Sequence, residues 1–218
     1  MKNFDSSLYF ITSSEGISED DFLKKIDGAL RGGVSLLQLR EKDKTTREYL
    51  HLAKEVHKLS QRYNVPLIID DRIDVAEAIE AEGVHLGQSD MPIEIARKLL
   101  GDKFIIGATA KTVAQAREAF EQGADYLGVG AIFPTKTKVK TVLTSTTVLS
   151  DICRSVPIPV NAIGGLNKRN IDVLQGIPIS GICVVSAIMD ATNSEIAASE
   201  LKQSFSKIKN TIHQGETT

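Results

Sequence analysis

Short apolar runs alternate with longer amphipathic segments along the whole chain. The apolar runs are rich in Val, Ile and Leu and lack a polar alternation, which is typical of parallel strands covered by helices. The segments between them carry apolar residues at helical spacing, as Phe22, Ile26 and Leu30 do. The runs predict strands at Leu8–Thr12, Val34–Leu39, Pro66–Ile69, Gly83–Leu86, Phe104–Ala108, Asp125–Val129, Ile158–Ile163 and Ser180–Val185.

The amphipathic segments predict one helix after each strand. Ser18 is placed to cap the first helix, and Gly32–Gly33 is placed to end it. Eight strand–helix units predict an α/β protein with one (β/α)₈ TIM barrel over residues 1–218. A doubly wound open sheet is the alternative, but its first turn is normally glycine-rich, and the first turn here is TSSEG. Later helices are predicted at Thr46–Tyr63, Val75–Glu80, Ile93–Leu100, Val113–Gln122, Leu149–Arg154, Asn167–Leu174 and Ser194–Lys209.

Composition narrows the classes of function. The 218 residues carry a formal net charge of −2, with 42% hydrophobic and 25% charged residues, so neither nucleic acid nor a membrane surface is expected as a partner. Cys153 and Cys183 form no CxxC motif and lie in apolar settings, so we expect two reduced core thiols. The sequence contains no evident signal peptide or membrane-spanning run, and a cytoplasmic protein is expected. The oligomeric state stays open, a homo-oligomer included.

The loop Gly130–Leu143 follows the predicted sixth strand and concentrates polar and cationic residues. Its core is PTKTKVK, in which Thr135 and Thr137 alternate with lysines that include Lys138. Hydroxyl groups beside mobile cations can close on a phosphate, although such a run is also typical of a solvated surface loop. We expect the loop to bind phosphate and to close over bound ligands as a lid.

The carboxyl ends of the strands form the active site of a TIM barrel, so the residues there are candidates for chemistry. Asp71 and Asp90 end neighbouring strands and suit Mg²⁺, but each also precedes a helix that it is suited to cap. From its local sequence His85 is favoured as a neutral core histidine. The Gly164–Gly165 turn suits either a phosphate or a plain strand-to-helix connection. The candidates are Tyr9, Gln38, Arg40, Lys42, Asp70, Asp71, His85, Asp90, Thr109, Gly164, Gly165, Val185 and Ser186.

Seven motifs lie in order over nearly all of the predicted units: LYFIT, LLQLREKD, DDR, GVHLGQSDM, GADYLGVGAIFPTKTK, AIGGL and GICVVSAI. Together they resemble the thiamine phosphate synthase family. QLREKD with HLGQSDM is specific, whereas GADYLGVG and IGG recur in other phosphate-binding barrels. The resemblance implies an enzyme that joins hydroxymethylpyrimidine diphosphate to hydroxyethylthiazole phosphate, giving thiamine phosphate and pyrophosphate.

The same resemblance implies roles for single residues. Gln38 would face the pyrimidine ring, and Tyr9 and His85 would line its pocket. Asp71 and Asp90 would bind Mg²⁺ as the cofactor. The diphosphate would be held by Arg40, Lys42 and Lys138, with Asp70 and Thr109 as further substrate-binding residues. The thiazole phosphate would be held by Thr135, Thr137, Gly164, Gly165, Val185 and Ser186.

Several residues depart from the family pattern, and Asp70, which stands where Asn is usual, lies nearest to the expected metal site. Because adjacent residues of an extended strand point in opposite directions, Asp70 and Asp71 are not expected to reach one ion without a local bend. Asp70 is therefore expected to tune the diphosphate site rather than to bind the metal. The other departures are Thr109 for Ser, Lys111 for His, Ala162 for Gly and Lys140 for Asp.

Two alternative functions stay open at this point. A thiazole tautomerase resembles the synthase in fold but has no diphosphate substrate, so the presence of Arg40, Lys42, Asp71 and Asp90 together argues against it. A non-catalytic protein that binds thiamine-type ligands is the second alternative, and only the departures from the family pattern support it.

Overall fold

The computed structural model of the chain describes residues 2, 4–135 and 142–215. Within these residues, eight parallel strands close into a barrel in which each strand pairs with the next and the last pairs with the first. The predicted TIM barrel is therefore confirmed. The strands are β1 (Leu8–Ile11), β2 (Leu36–Leu39), β3 (Leu67–Asp70), β4 (Gly83–Leu86), β5 (Ile105–Ala110), β6 (Tyr126–Gly130), β7 (Val160–Ile163) and β8 (Gly181–Val184).

Helices cover the outside of the barrel and follow the strands in turn. Ser18 caps the first helix as predicted, its side chain accepting a hydrogen bond from the backbone N–H of Asp21. Thr45 and Glu48 form a complete capping box on the second. The helices are α1 (Glu19–Arg31), α2 (Thr46–Arg62), α3 (Ile73–Ala78), α4 (Ile93–Leu100), α5 (Val113–Glu121), α6 (Thr146–Ser155), α7 (Ser186–Met189) and α8 (Ser194–Gly215).

The observed elements differ from the predicted ones mainly near prolines and in short segments. β7 begins at Val160 rather than Ile158, since Pro159 has no N–H for a strand ladder and contributes only its carbonyl oxygen, to the N–H of Leu127. The helix predicted over Asn167–Leu174 is a 3₁₀ helix confined to Ile171–Leu174. The four-residue helix α7 was not predicted, because four residues are too few to show helical periodicity.

The apolar core has two layers, one between strands and helices and one inside the barrel. The inner layer contains Tyr9, Ile11, Leu36, Ile68, Ile105, Tyr126 and Cys183. Cys183 is buried there, whereas Cys153 is only partly buried on α6, and both are free thiols. None of the helices in the described ranges has the length and apolar character that a bilayer span requires. The inner layer forms the floor beneath the carboxyl ends of the strands.

Candidate active site

An ionic cluster occupies the carboxyl ends of β2 and β3. The Lys42 ammonium lies 2.8 Å from Oδ2 of Asp70 and also contacts the carboxylate of Asp71. Arg40 Nε lies 3.7 Å from the same Asp70 oxygen. Burial disfavours the charged form of Lys42, but the two carboxylates outweigh burial and raise its pKa. Burial raises the pKa of Asp70, which is only 8% exposed, although Lys42 and Arg40 oppose that change.

The backbone bends between Asp70 and Asp71, so the expectation that their side chains point apart is wrong. Asp71 has a φ of 59°, in the left-handed region, and its N–H donates to the carbonyl oxygen of His85 at 2.9 Å. The bend brings both carboxylates to the single ammonium of Lys42. Asp and Asn tolerate this conformation better than most residues, which explains how the chain bends here without a glycine.

Asp71 and Asp90 do not cap the helices that follow them. The N-cap of α3 is Arg72 and that of α4 is Pro92, and neither has a side-chain cap hydrogen bond. Oδ2 of Asp90 instead accepts from the N–H of Gly87 at 2.7 Å, which fixes its direction. Burial raises the pKa of Asp90, and the neighbouring carboxylate of Asp71 raises it further. A pair of carboxylates suits a hard divalent cation.

The donor set of this pair fits Mg²⁺, which takes one or two protein carboxylates and fills its other positions with water and phosphate oxygens. Among the residues that the structure describes, no group of three or more His, Cys, Asp and Glu side chains is arranged to hold a metal. Water and phosphate oxygens would fill the other positions of an ion held by Asp71 and Asp90.

A chain of hydrogen bonds crosses the floor of the barrel mouth. Gln38 Nε2 donates to the Tyr9 hydroxyl at 2.6 Å, and that hydroxyl lies 2.7 Å from the hydroxyl of Tyr126. The Tyr126 hydroxyl lies 3.1 Å from Nδ1 of His85, whose Nε2 lies 3.0 Å from Oγ1 of Thr109. Four predicted site residues thus meet through Tyr126, which the sequence analysis did not single out.

The side chains of this hydrogen-bonded row are uncharged. Burial lowers the pKa of His85 to about 4. Burial, reinforced by neighbouring acidic groups, raises the pKa of Tyr9 well above its ordinary value, and burial does the same for Tyr126. The floor is therefore an uncharged polar surface beside the ionic cluster. His85 itself is partly buried, and both of its ring nitrogens face hydroxyl groups.

The loops after β6 and β7 approach each other closely at two glycines. Gly164 and Gly165 have φ values of 106° and 63°, in the left-handed region. A Cβ at Gly164 would lie 2.4 Å from Cβ of Ala131, and one at Gly165 would lie 2.8 Å from Cβ of Phe133. Asn170 Nδ2 donates to the carbonyl oxygen of Gly165 at 2.9 Å and holds the turn.

The remaining predicted residues follow β8, end the described range before residue 136, or fall outside the described ranges. Val185 is partly buried after β8, and Ser186 is exposed at the start of α7. Thr135 is partly buried and is the last described residue before the gap at 136–141. Thr137 and Lys138, with Lys140, lie outside the described residues, so the roles and the lid expected of them stay predictions.

The chain is similar to known proteins in sequence and in fold. Residues 8–188 match the family described as thiamine monophosphate synthase. The chain is 50% identical over 188 residues to "Thiamine-phosphate synthase 2" of Streptococcus pneumoniae serotype 4. The matched region covers 86% of this chain and 90% of the relative. It is 47% identical over 210 residues to "Thiamine-phosphate synthase" of Methanobrevibacter smithii, covering 96% and 100% of the two chains. The solved "Thiamine phosphate pyrophosphorylase" of Pyrococcus furiosus superposes with a TM-score of 0.84 at 38% identity, covering 93% and 96%.

Proposed function

Because the chain belongs to the thiamine monophosphate synthase family, we propose that it is a transferase that joins hydroxymethylpyrimidine diphosphate to hydroxyethylthiazole phosphate. The products are thiamine phosphate and pyrophosphate. The observation that carries the proposal is the ionic cluster, which sets Arg40 and Lys42 against Asp70 and Asp71 beside a neutral polar floor. Cations and a carboxylate pair suit a diphosphate, and the uncharged floor suits a heterocycle.

Asp71 and Asp90 would hold Mg²⁺ in this proposal. When bound, the ion neutralises negative charge on the departing pyrophosphate. Arg40 and Lys42 would add fixed positive charge from the β2 side, and Lys138 would add a third cation from the loop after β6. Charge of this kind accelerates the reaction because it is needed most when the bond to pyrophosphate breaks.

The residues of the floor would bind and orient the pyrimidine. The bond from its methylene carbon to the diphosphate oxygen breaks, and the thiazole nitrogen then forms the new bond to that carbon. The amino group of the ring can stabilise a cation-like methylene, and the thiazole nitrogen is itself the nucleophile, so no strong base is required. A neutral His85 is consistent with this reaction, in which positioning carries much of the rate.

The thiazole phosphate would bind where the loops after β6, β7 and β8 meet. Backbone N–H groups at a glycine turn can approach a phosphate without interference from a Cβ. Gly164 and Gly165 supply such a turn, and Val185 and Ser186 follow β8, the strand that pairs with β7. Thr135 and Thr137 would complete this subsite, so that one barrel carries both half-sites.

The ionic cluster weighs against the two other functions. A tautomerase acting on a thiazole phosphate has no diphosphate and therefore has no use for Arg40, Lys42 and the carboxylate pair. A protein that only binds thiamine-type ligands does not need groups that stabilise a leaving group more strongly than a bound ligand.

The decisive experiment measures pyrophosphate release with both substrates present and with each one omitted. We expect release only with both substrates and Mg²⁺. Lys42→Ala should lower kcat/KM for the pyrimidine diphosphate by about 100-fold. Its matched control is Lys58→Ala on α2, since Lys58 pairs with Glu55 on the surface, where its side chain is 63% exposed. No release with both substrates, or equal losses in the two variants, would contradict the proposal.

A further inference from the structure

The hydrogen atoms of the chain across the barrel floor can be assigned by counting. Gln38 presents Nε2 to Tyr9, so the hydroxyl oxygen of Tyr9 accepts this bond. The single hydrogen of Tyr9 then goes to the oxygen of Tyr126, 2.7 Å away, because a buried hydroxyl hydrogen needs an acceptor and the described residues offer it no other. The Tyr126 hydrogen is left for Nδ1 of His85.

The hydrogen positions on His85 and Thr109 are fixed in the same way. Since Nδ1 accepts, the ring hydrogen of the neutral imidazole lies on Nε2 and is donated to Oγ1 of Thr109. The hydroxyl hydrogen of Thr109 is then available to a ligand or to water. At the other end, Oε1 of Gln38 accepts no hydrogen bond from the described residues. The chain therefore runs in one direction and presents an acceptor at Gln38 and a donor at Thr109.

Tyr126 is the central residue of this row of hydrogen bonds, because its hydroxyl lies between Tyr9 and His85. It is fully buried, and its ring lies edge-on to Phe4 and to Tyr9, with centroid distances of 5.7 Å in both cases. The ring also fills the space beside Gly107, where a Cβ would lie 2.1 Å from Cζ. Packing on these sides fixes the hydroxyl oxygen of Tyr126 between Tyr9 and His85.

We propose that Tyr126 is a positioning residue whose hydroxyl fixes the orientation of the Gln38 amide, and that this orientation makes the site specific for an aminopyrimidine over the corresponding oxopyrimidine. Without that hydroxyl, the hydrogen of Tyr9 has no acceptor in the floor. The amide of Gln38 then gains by turning over, so that Oε1 accepts from Tyr9 and Nε2 faces the barrel mouth. The inference rests on the proposed function, because it takes the pyrimidine ring as the ligand of Gln38.

The two heterocycles differ in the pattern that this surface recognises. An aminopyrimidine offers an exocyclic N–H donor next to a ring nitrogen acceptor. In the oxo form the exocyclic oxygen accepts and the adjacent ring N–H donates, so donor and acceptor are exchanged. A buried donor that faces another donor, or an acceptor that faces another acceptor, loses both its hydrogen bond and its hydration. A site built around such hydrogen bonds therefore strongly rejects a ligand with the exchanged pattern.

The first test is Tyr126→Phe, which keeps the ring and removes only the hydroxyl. We expect kcat/KM for the aminopyrimidine diphosphate to fall by about 10-fold, and its ratio to the value for the oxopyrimidine diphosphate to fall by at least about 10-fold. The KM for the thiazole phosphate should not change. The matched control is Tyr49→Phe, which removes a buried hydroxyl that donates to the carbonyl oxygen of Leu39 at 2.7 Å, outside the chain. The control should leave the ratio unchanged.

The second test needs no turnover and reads the ring nitrogens of His85 by ¹⁵N NMR. In the unaltered protein we expect hydrogen on Nε2 alone. Gln38→Glu, measured at alkaline pH, replaces the donor to Tyr9 with an ionised acceptor and should reverse the chain, moving the His85 hydrogen to Nδ1. With Tyr126→Phe added, the chain is interrupted and the hydrogen should stay on Nε2.

These measurements separate the inference from the proposed function. Absence of pyrophosphate release would contradict the function and would leave the NMR result standing. An unchanged amino-to-oxo ratio in Tyr126→Phe would overturn the inference. The inference would also be overturned if the His85 hydrogen stayed on Nε2 in Gln38→Glu. The same holds if it moved to Nδ1 equally with and without the Tyr126 hydroxyl. Because Gln38→Glu alone gives a decisive NMR result, the test survives even if Tyr126→Phe does not fold.

Discussion

Gly107 on β5 lies beside Tyr126 on β6, and its missing side chain makes room for the tyrosine ring. The two residues are register partners, and a Cβ at position 107 would lie 2.1 Å from Cζ of Tyr126 and 2.4 Å from its hydroxyl oxygen. Carbon atoms that are not bonded rest at about 3.5–4.0 Å. Gly107→Ala therefore forces the ring to move by more than about 1 Å.

A shift of that size stretches the hydrogen bonds of Tyr126 to Tyr9 and His85 beyond their usual length. Overpacking a core costs about 1–3 kcal/mol, and each lost hydrogen bond adds about 1 kcal/mol. We therefore expect the free energy of unfolding to fall by about 3–5 kcal/mol. For a domain of this size 1 kcal/mol corresponds to about 2–4 °C, so Tm should fall by about 10 °C.

The assay is a double-mutant cycle with Tyr126→Leu, measured by urea denaturation followed by circular dichroism. Leucine lacks the ring atoms that the new methyl group would meet. The methyl group should therefore cost at least about 1 kcal/mol less in the Tyr126→Leu background than in the unaltered protein. If the two changes are additive within about 0.5 kcal/mol, the reasoning is refuted.

Three further predictions concern other parts of the molecule. Asp70→Asn should keep or lower the KM for the pyrimidine diphosphate, because it removes a like charge; a loss of Mg²⁺ affinity in a titration would show that Asp70 is a ligand. Hydrogen bonding to Glu82 raises the pKa of His57 against the effect of burial. The pairing of protonated His57 with Glu82 therefore stabilises the fold fully below about pH 6.5, and this contribution is lost as pH rises through the raised pKa. Relative to the unaltered protein, His57→Gln should lower Tm by about 2–4 °C at low pH and by less at high pH, and a constant difference would contradict the pairing. Gly165→Ala, whose Cβ would meet Phe133 at 2.8 Å, should raise the KM for the thiazole phosphate by about 10-fold; an equal rise for both substrates would indicate general damage.

The barrel and its strand ends could be predicted because their signals are local. Each strand is an apolar run, and parallel strands in a closed barrel bring their carboxyl ends to one face. The bend at Asp71 could not be predicted in this way, because Asp enters the left-handed region without the glycine that usually marks it. The alternation of side chains along a strand was assumed to continue from Asp70 to Asp71. It ends at Asp70, so the expectation that these two carboxylates could not reach one cation was wrong.

Tyr126 was missed for a different reason. Its position in GADYLGVG was recognised as part of a motif, but its partners Tyr9 and His85 lie on β1 and β4, which are not neighbours of β6. Contacts across the interior of a barrel depend on how side chains of different size fill it, and no spacing in the sequence records them. The useful signal was Gly107, which pairs with Tyr126 and leaves room for a large ring.

The site joins a charged part and a neutral part, and Asp70 lies where they meet. Its carboxylate pairs with Lys42, while its backbone is the register partner of His85 in the floor. The floor stays neutral across the working range, because burial lowers the pKa of His85 to about 4 and raises those of Tyr9 and Tyr126 above that of a free tyrosine. The side chains of the floor should therefore keep the same charge between about pH 5 and 9. Any change of rate with pH in that interval then originates outside the floor, in the ionic cluster or in the substrates themselves.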